Sequence, residues 1–156
     1  RTGEGFDYLC QIRDVFSNTV LASCQAENMK KELVLKTLKA AQDRWHLPAD
    51  VIFHSDRGSQ YTAAEVKEQI TAYGWKQSFS AVGRPGDNAW SESFFSILKK
   101  EIIHWRFYPT REAARQAIFE YIEGFYNRRR VQKRLGYLSP IQFLNAWNKR
   151  VLPCSA

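Results

Sequence analysis

The order of its hydrophobic patterns predicts an α/β fold with a mixed β-sheet flanked by helices. Strand-like segments come first, helix and strand then alternate, and the last third reads as helical throughout. At 156 residues the chain is long enough for one domain with a real core and too short for two comfortable ones. An apolar fraction of 44%, with 22 aromatic residues, argues for a packed globule over disorder.

The elements follow in order. Residues 6–15 alternate in part and are rich in strand formers, with Gly3 and Gly5 ahead of them, and read as the second arm of a hairpin whose first arm is missing. Ser17-Asn18 is the next turn and residues 19–24 another strand. Asn28 is placed to cap a helix running through Arg44, with Leu33, Val34, Leu38 and Ala41 on one side and an ordinary wet face carrying Lys30, Lys31, Lys36 and Lys39. Pro48 stops it, and residues 51–54 are short and apolar, as a buried central strand would be. A helix over 62–73 ends at Gly74, a strand covers 76–80, and the loop 81–87, holding Gly83, Pro85 and Gly86, reads as flexible. From Asn88 to about Trp105 the pattern is helical, with Glu92, Ser96 and Lys99 on one face and Phe94, Leu98 and Ile102 on another. Thr110 caps a further helix to about Asn127, whose inner stripe is Ala114, Ile118, Tyr121, Ile122 and Phe125. Pro140 begins a last helix with Phe143, Leu144 and Trp147. Residues 1–150 are thus one domain and 151–156 a tail.

The net charge of +7 is unevenly placed. Residues 1–92 hold 11 Lys/Arg against 12 Asp/Glu, and residues 93–156 hold 12 against 4. A basic C-terminal part suits a surface that meets phosphate, although charge alone equally fits a solubilising face. Cys10, Cys24 and Cys154 are odd in number and form no C-x-x-C pair, so neither a zinc site nor a disulfide framework is suggested. The reducing cytoplasm is the simplest location, and no apolar run approaches the ~20 residues of a membrane helix. The chain begins without Met, which fits a fragment or a processed chain.

The chemistry-bearing stretches are His54-Ser55-Asp56-Arg57-Gly58-Ser59-Gln60-Tyr61 and Gly83-Arg84-Pro85-Gly86-Asp87-Asn88-Ala89-Trp90-Ser91-Glu92. Asp56 and Glu92 enclose 35 residues. A carboxylate at a strand end and one on a helix can converge at a sheet edge, where two hard oxygen donors hold Mg²⁺ or Mn²⁺ against a phosphate. Lys99 follows Glu92 by seven, and Asn127-Arg128-Arg129-Arg130 leads to Leu135-Gly136-Tyr137-Leu138-Ser139-Pro140. Taken together these motifs resemble the second half of the D-D-35-E signature of insertion-sequence transposases, in particular the insertion-sequence-three family, whose core resembles retroviral integrase. The resemblance covers nearly all 156 residues.

The resemblance implies a ribonuclease-H-like fold lacking its first strand. It implies attack on a DNA phosphodiester, by water and then by the freed 3′-hydroxyl, assisted by two Mg²⁺ or Mn²⁺ ions about 3.5–4 Å apart. Asp56 and Glu92 would be catalytic metal ligands. Lys99 would meet DNA phosphate, or is a plain surface lysine beside Lys100. Asn88, one turn before Glu92, would orient it, or is only an N-terminal helix residue. Arg128, Arg129, Arg130, Lys133 and Arg134 would lie along DNA phosphates. His54 shares the Asp56 face of its strand, where a metal or proton-transfer role is conceivable, but reads first as a partly buried, hydrogen-bonded histidine; His46 and His104 have no ligand spacing; and Trp90, Trp105 and Trp147 could stack on bases but at helical spacing read as core. Two departures stand out: Gln132 occupies a position commonly His, and the first catalytic Asp would precede Arg1 by roughly five residues, leaving Asp7 and Asp14 as the nearby substitutes. The expected partner is DNA, bound by a homo-oligomer. The competing reading is a non-catalytic DNA-binding remnant.

Overall fold

The computed structural model describes residues 1–81 and 89–151, with Val151 as backbone alone. A hairpin of β1 (Tyr8–Arg13) and β2 (Val20–Ala26) pairs antiparallel, with Cys10 opposite Cys24. So residues 6–15 form the first arm of an observed hairpin, and two cysteines distant in sequence become cross-strand neighbours. The connecting turn is built by Asp14: its carboxylate accepts from the Phe16 and Ser17 backbone N–H groups and from the Ser17 hydroxyl. This is the Asx geometry that makes Asp a turn former.

Because its side chains alternate, the hairpin can serve two hydrophobic clusters at once. Cys10 is buried with Leu33, Val34, Leu38, Val66, Ile70 and Trp75, and Tyr8 and Ile12 pack on the same cluster. Leu9, of the opposite parity, packs against Val20, Phe94, Leu98, Ile118 and Ile122. A bulge where the register jumps from Ile12↔Ala22 to Arg13↔Val20 turns Val20 toward this second cluster.

α1 (Lys31–Trp45) carries the expected stripe of Leu33, Val34, Leu38 and Ala41. It starts later than Asn28 would place it, with Lys30 at its N-cap and no side-chain cap bond. Its C-terminus is closed by His46 in the left-handed region, whose N–H donates to Gln42 O. β3 (Ile52–Ser55) runs parallel to β4 (Lys76–Phe79), joined through a short helical turn, α2 (Ser59–Thr62), and α3 (Ala64–Ala72). The expected single helix over 62–73 is broken at Ala63, which is extended. Among the described residues the antiparallel and the parallel pairing are separate two-stranded ladders. Among the described residues β3 is therefore an edge strand and not the buried central one expected. Ile52 is 68% exposed and His54 is exposed, because β3 pairs with β4 alone and only Phe53 of the two apolar side chains packs on the core.

α4 (Ala89–Leu98) continues into a wide π turn, Lys99–Ile103, closed by His104 N–H to Lys99 O at 2.8 Å. α5 (Arg111–Phe119) is capped by the Thr110 hydroxyl, which accepts from Ala113 N at 3.1 Å, and it too widens over Glu120–Tyr126. Ala114, Ile118, Tyr121 and Ile122 are buried as the pattern predicts, whereas Phe125 is 43% exposed. The widened turn rotates the stripe so that Tyr126 and Asn127 enter the core in its place. α6 (Pro140–Val151) opens on a capping box: Ser139 Oγ accepts from Gln142 N and Gln142 Oε1 accepts from Ser139 N. The expected loop 81–87 lies outside the described residues from Val82 on.

Candidate nucleic-acid-processing site

Asp56 follows β3 directly. Its Oδ1 accepts from Gly58 N at 2.8 Å, which fixes the carboxylate at the strand end and leaves Oδ2 without a partner among the described residues. A Cβ at Gly58 would stand 2.9 Å from that Oδ1, so the close approach favours glycine. The two ring nitrogens of His54 pair with Ser78 Oγ (3.0 Å) and Ser80 Oγ (3.2 Å) and so tie β3 to β4. It is hydrogen-bonded as expected, but exposed.

Glu92 is exposed on the first turn of α4. With Phe95, Ser96, Lys99, Lys100 and His104 it lines a cleft of 440 Å³. The Glu92, Ser96 and Lys99 face read from helical spacing is therefore one surface. Helical spacing leaves His104 out of it, for a geometric reason. Twelve residues beyond Glu92 it would sit ~120° away around a regular helix, but the extra residue taken up by the π turn brings it back to within ~20°. Only the i+5 hydrogen bond reveals this.

Asp56 is not among the residues lining the cleft, and no group of three or more His, Cys, Asp or Glu among the described residues is placed to hold a metal ion. Asn88 lies outside the described residues. The two substitute carboxylates are both committed elsewhere. Asp7, with a side chain 7% exposed, receives Arg115 Nη2 at 2.7 Å and Nε at 3.2 Å, and Asp14 holds the hairpin turn.

The basic cluster divides in two. Arg128, Arg129 and Lys133 are exposed and make no side-chain hydrogen bond or ion pair among the described residues. Arg130 instead donates to Glu101 Oε1 at 2.9 and 3.0 Å, while Tyr121 OH donates to Glu101 Oε2 at 2.7 Å. Burial disfavours the Glu101 carboxylate charge, but these donors outweigh it and hold its pKa below the ordinary value. Arg134 reaches Val15 O and Asn18 Oδ1 and lies 4.4 Å from the Trp90 ring centroid, with Arg13 at 5.8 Å. Trp90 is thus half-exposed under two guanidinium groups, where its helical position suggests core. Gln132 accepts from Asn18 Nδ2 at 2.8 Å, so the position commonly His serves here to join the segment between α5 and α6 to the hairpin turn.

A two-strand hairpin and a parallel strand pair carrying Asp56, with Glu92 on a following helix, define an integrase-type core of ribonuclease-H-like fold. The integrase core domain family matches residues 1–85, a second integrase core domain family matches residues 92–146, and the chain belongs to this family. Transposase InsF for insertion sequence IS3A of Escherichia coli (strain K12) is 41% identical over 145 residues, covering 93% of this chain and 50% of the relative. The transposase for insertion sequence element IS904 of Lactococcus lactis is 38% identical over 142 residues, covering 91% and 56%. The chain thus spans about half the length of these curated relatives. Among solved structures, the catalytic core domain of BIV integrase superposes with a TM-score of 0.61 at 14% identity, covering 92% of this chain and 90% of that one. A chain of the simian T-cell lymphotropic virus intasome in complex with PP2A regulatory subunit B56 gamma gives 0.74 at 16%, covering 91% and 49%. No helix among the described residues is long and apolar enough to cross a membrane.

Proposed function

We propose that this core acts in DNA transposition, cutting a DNA 3′ end and joining it to target DNA, with Asp56 and Glu92 as two of its catalytic carboxylates. The observation that carries the reading is the cleft in which Glu92 shares one helical face with Lys99. Asp56 and Glu92 are both exposed, and Asp56 Oδ2 has no hydrogen-bond partner among the described residues. That donor set fits Mg²⁺ or Mn²⁺, which takes one or two carboxylates together with substrate phosphates. When bound, such ions supply charge neutralisation at the phosphate and an activated oxygen nucleophile.

The chain's own groups have distinct parts. Lys99 and Lys100 hold the phosphodiester backbone beside Glu92, and Arg128, Arg129 and Lys133 extend the contact to flanking phosphates. The strand-end turn restrains Asp56 through the Gly58 N–H on Oδ1, which leaves Oδ2 for a ligand. Since Asp7 and Asp14 are both engaged, we assign the third carboxylate to neither. β1 and β3 each carry a single ladder among the described residues, which suits a further strand between them as the source of that donor. Joining two DNA ends favours at least a dimer.

The test is Mn²⁺-dependent cleavage of element-end DNA by a version carrying the strand that the resemblance places before Arg1. Asp56→Asn and Glu92→Gln should each lower cleavage by at least about a hundredfold with DNA affinity nearly unchanged. Cleavage retained in either variant overturns the assignment. The engagement of Asp7 and Asp14 also favours a second reading, a DNA-binding remnant, which predicts salt-dependent binding with no cleavage in any version.

A further inference from the structure

We propose that residues 104–107 form a stacking tip for an unpaired DNA nucleotide, reached along the cationic cleft that begins at Glu92. The inference rests on the DNA-acting reading above and extends it to a surface outside the motifs.

Trp105 is 83% exposed and Phe107 77%, although the helical pattern places Trp105 in the core. No other aromatic ring stacks on either among the described residues. Their surroundings explain why exposure persists. Tyr108 is buried and donates its hydroxyl to Ile102 O at 2.8 Å, while Gly3 N–H donates to Tyr108 O at 2.9 Å. Gly3 packs so tightly that a Cβ there would lie 2.5 Å from Pro109 O and 3.4 Å from the Phe107 ring. The tip is therefore held between the end of α4 and the N-terminal turn. Rings presented on a fixed support lose little freedom when a ligand stacks on them.

Charge selects the occupant. Lys100, His104 and Arg106, within five residues of Trp105 in the chain, are exposed and make no side-chain hydrogen bond or ion pair among the described residues. The one acid in this stretch, Glu101, is already paired with Arg130. An apolar protein surface laid on the rings would desolvate these basic groups without compensation. A nucleotide strand offers phosphates to the cations and a base face to each ring, the combination that single-strand binding sites use. The π turn makes the path continuous, because it puts His104 on the Glu92–Lys99 face immediately before Trp105.

The experiment is fluorescence anisotropy of the 156-residue chain on a blunt DNA duplex and on the same duplex with a short unpaired 3′ end. Trp105→Ala should weaken binding to the unpaired-end DNA by about tenfold and to the blunt duplex by less than about twofold, with Trp105→Phe retaining most of the affinity. Equal losses on both DNAs, or none on either, overturn the proposal while leaving the DNA-acting reading intact. So does a change in sedimentation mass without selective loss, which would assign the tip to a second copy of the chain. Failure of the unsubstituted chain to bind either DNA overturns both.

Discussion

Asn127, only 1% exposed, reaches across to β2, its Oδ1 accepting from Val20 N and its Nδ2 donating to Val20 O, both at 2.9 Å. It pairs with Val20 as a neighbouring strand would, and so ties the end of the α5 segment to the hairpin. Asn127→Leu leaves both backbone groups of Val20 buried and unpaired, so chemical denaturation should show a loss of about 2–4 kcal/mol. Glu101 gives a pH-dependent counterpart. Its pKa is lowered in the folded state, so its contribution is present above the ordinary carboxylate value of 4.5 and fades as pH falls through the lower folded value. Thermal melts of Glu101→Gln should accordingly show a shallower loss of stability on acidification below about pH 5 than the unsubstituted chain. Cys10 is the third case: burial raises its thiol pKa, and it should react with thiol reagents only as fast as the fold opens.

At the scale of elements, the Leu135-Gly136-Tyr137-Leu138-Ser139-Pro140 stretch acquires a structural purpose. Gly136 and Tyr137 both have positive φ, 66° and 63°, and reverse the chain so that Ser139 can cap α6. Ser139→Ala removes the cap from a helix whose Phe143 and Trp147 rings pack on Phe16, and should cost about 1 kcal/mol in denaturant unfolding. Trp147 makes that contact while remaining 45% exposed, at the edge of the core its spacing suggests. The helical periodicities are readable in the sequence, and so is the Thr110 cap. The widening of α4 and α5 is not, since residue spacing assumes 3.6 residues per turn throughout. That one assumption puts Phe125 inside and leaves His104 out of the cleft.

For the whole molecule, the charge asymmetry suits the proposed DNA footprint, but the folded chain uses part of it internally. Arg130 and Arg134 are held by Glu101 and by the hairpin turn, leaving Arg128, Arg129 and Lys133 as the unpaired cations of the cluster among the described residues. Arg128→Glu with Arg129→Glu should weaken DNA binding and flatten its salt dependence, log Kd against log salt losing about one unit of slope per contact removed. An unchanged slope would place the footprint elsewhere. The same substitution at Arg134 should act mainly on stability, through the turn it supports.

The sequence by itself determined the α/β class, the order of most elements and the family, and it supplied the proposed pair of carboxylates, because each is carried by local pattern or by contiguous motif residues. Tertiary structure decided which charges are free. Whether Asp7 or Arg134 meets solvent or a protein partner depends on residues 108 and 119 positions away, which no local spacing encodes. It also decided that His104 and Trp105 follow on from the Glu92 face, because one wide hydrogen-bonded turn resets the phase of a helix without leaving a mark in its hydrophobic pattern.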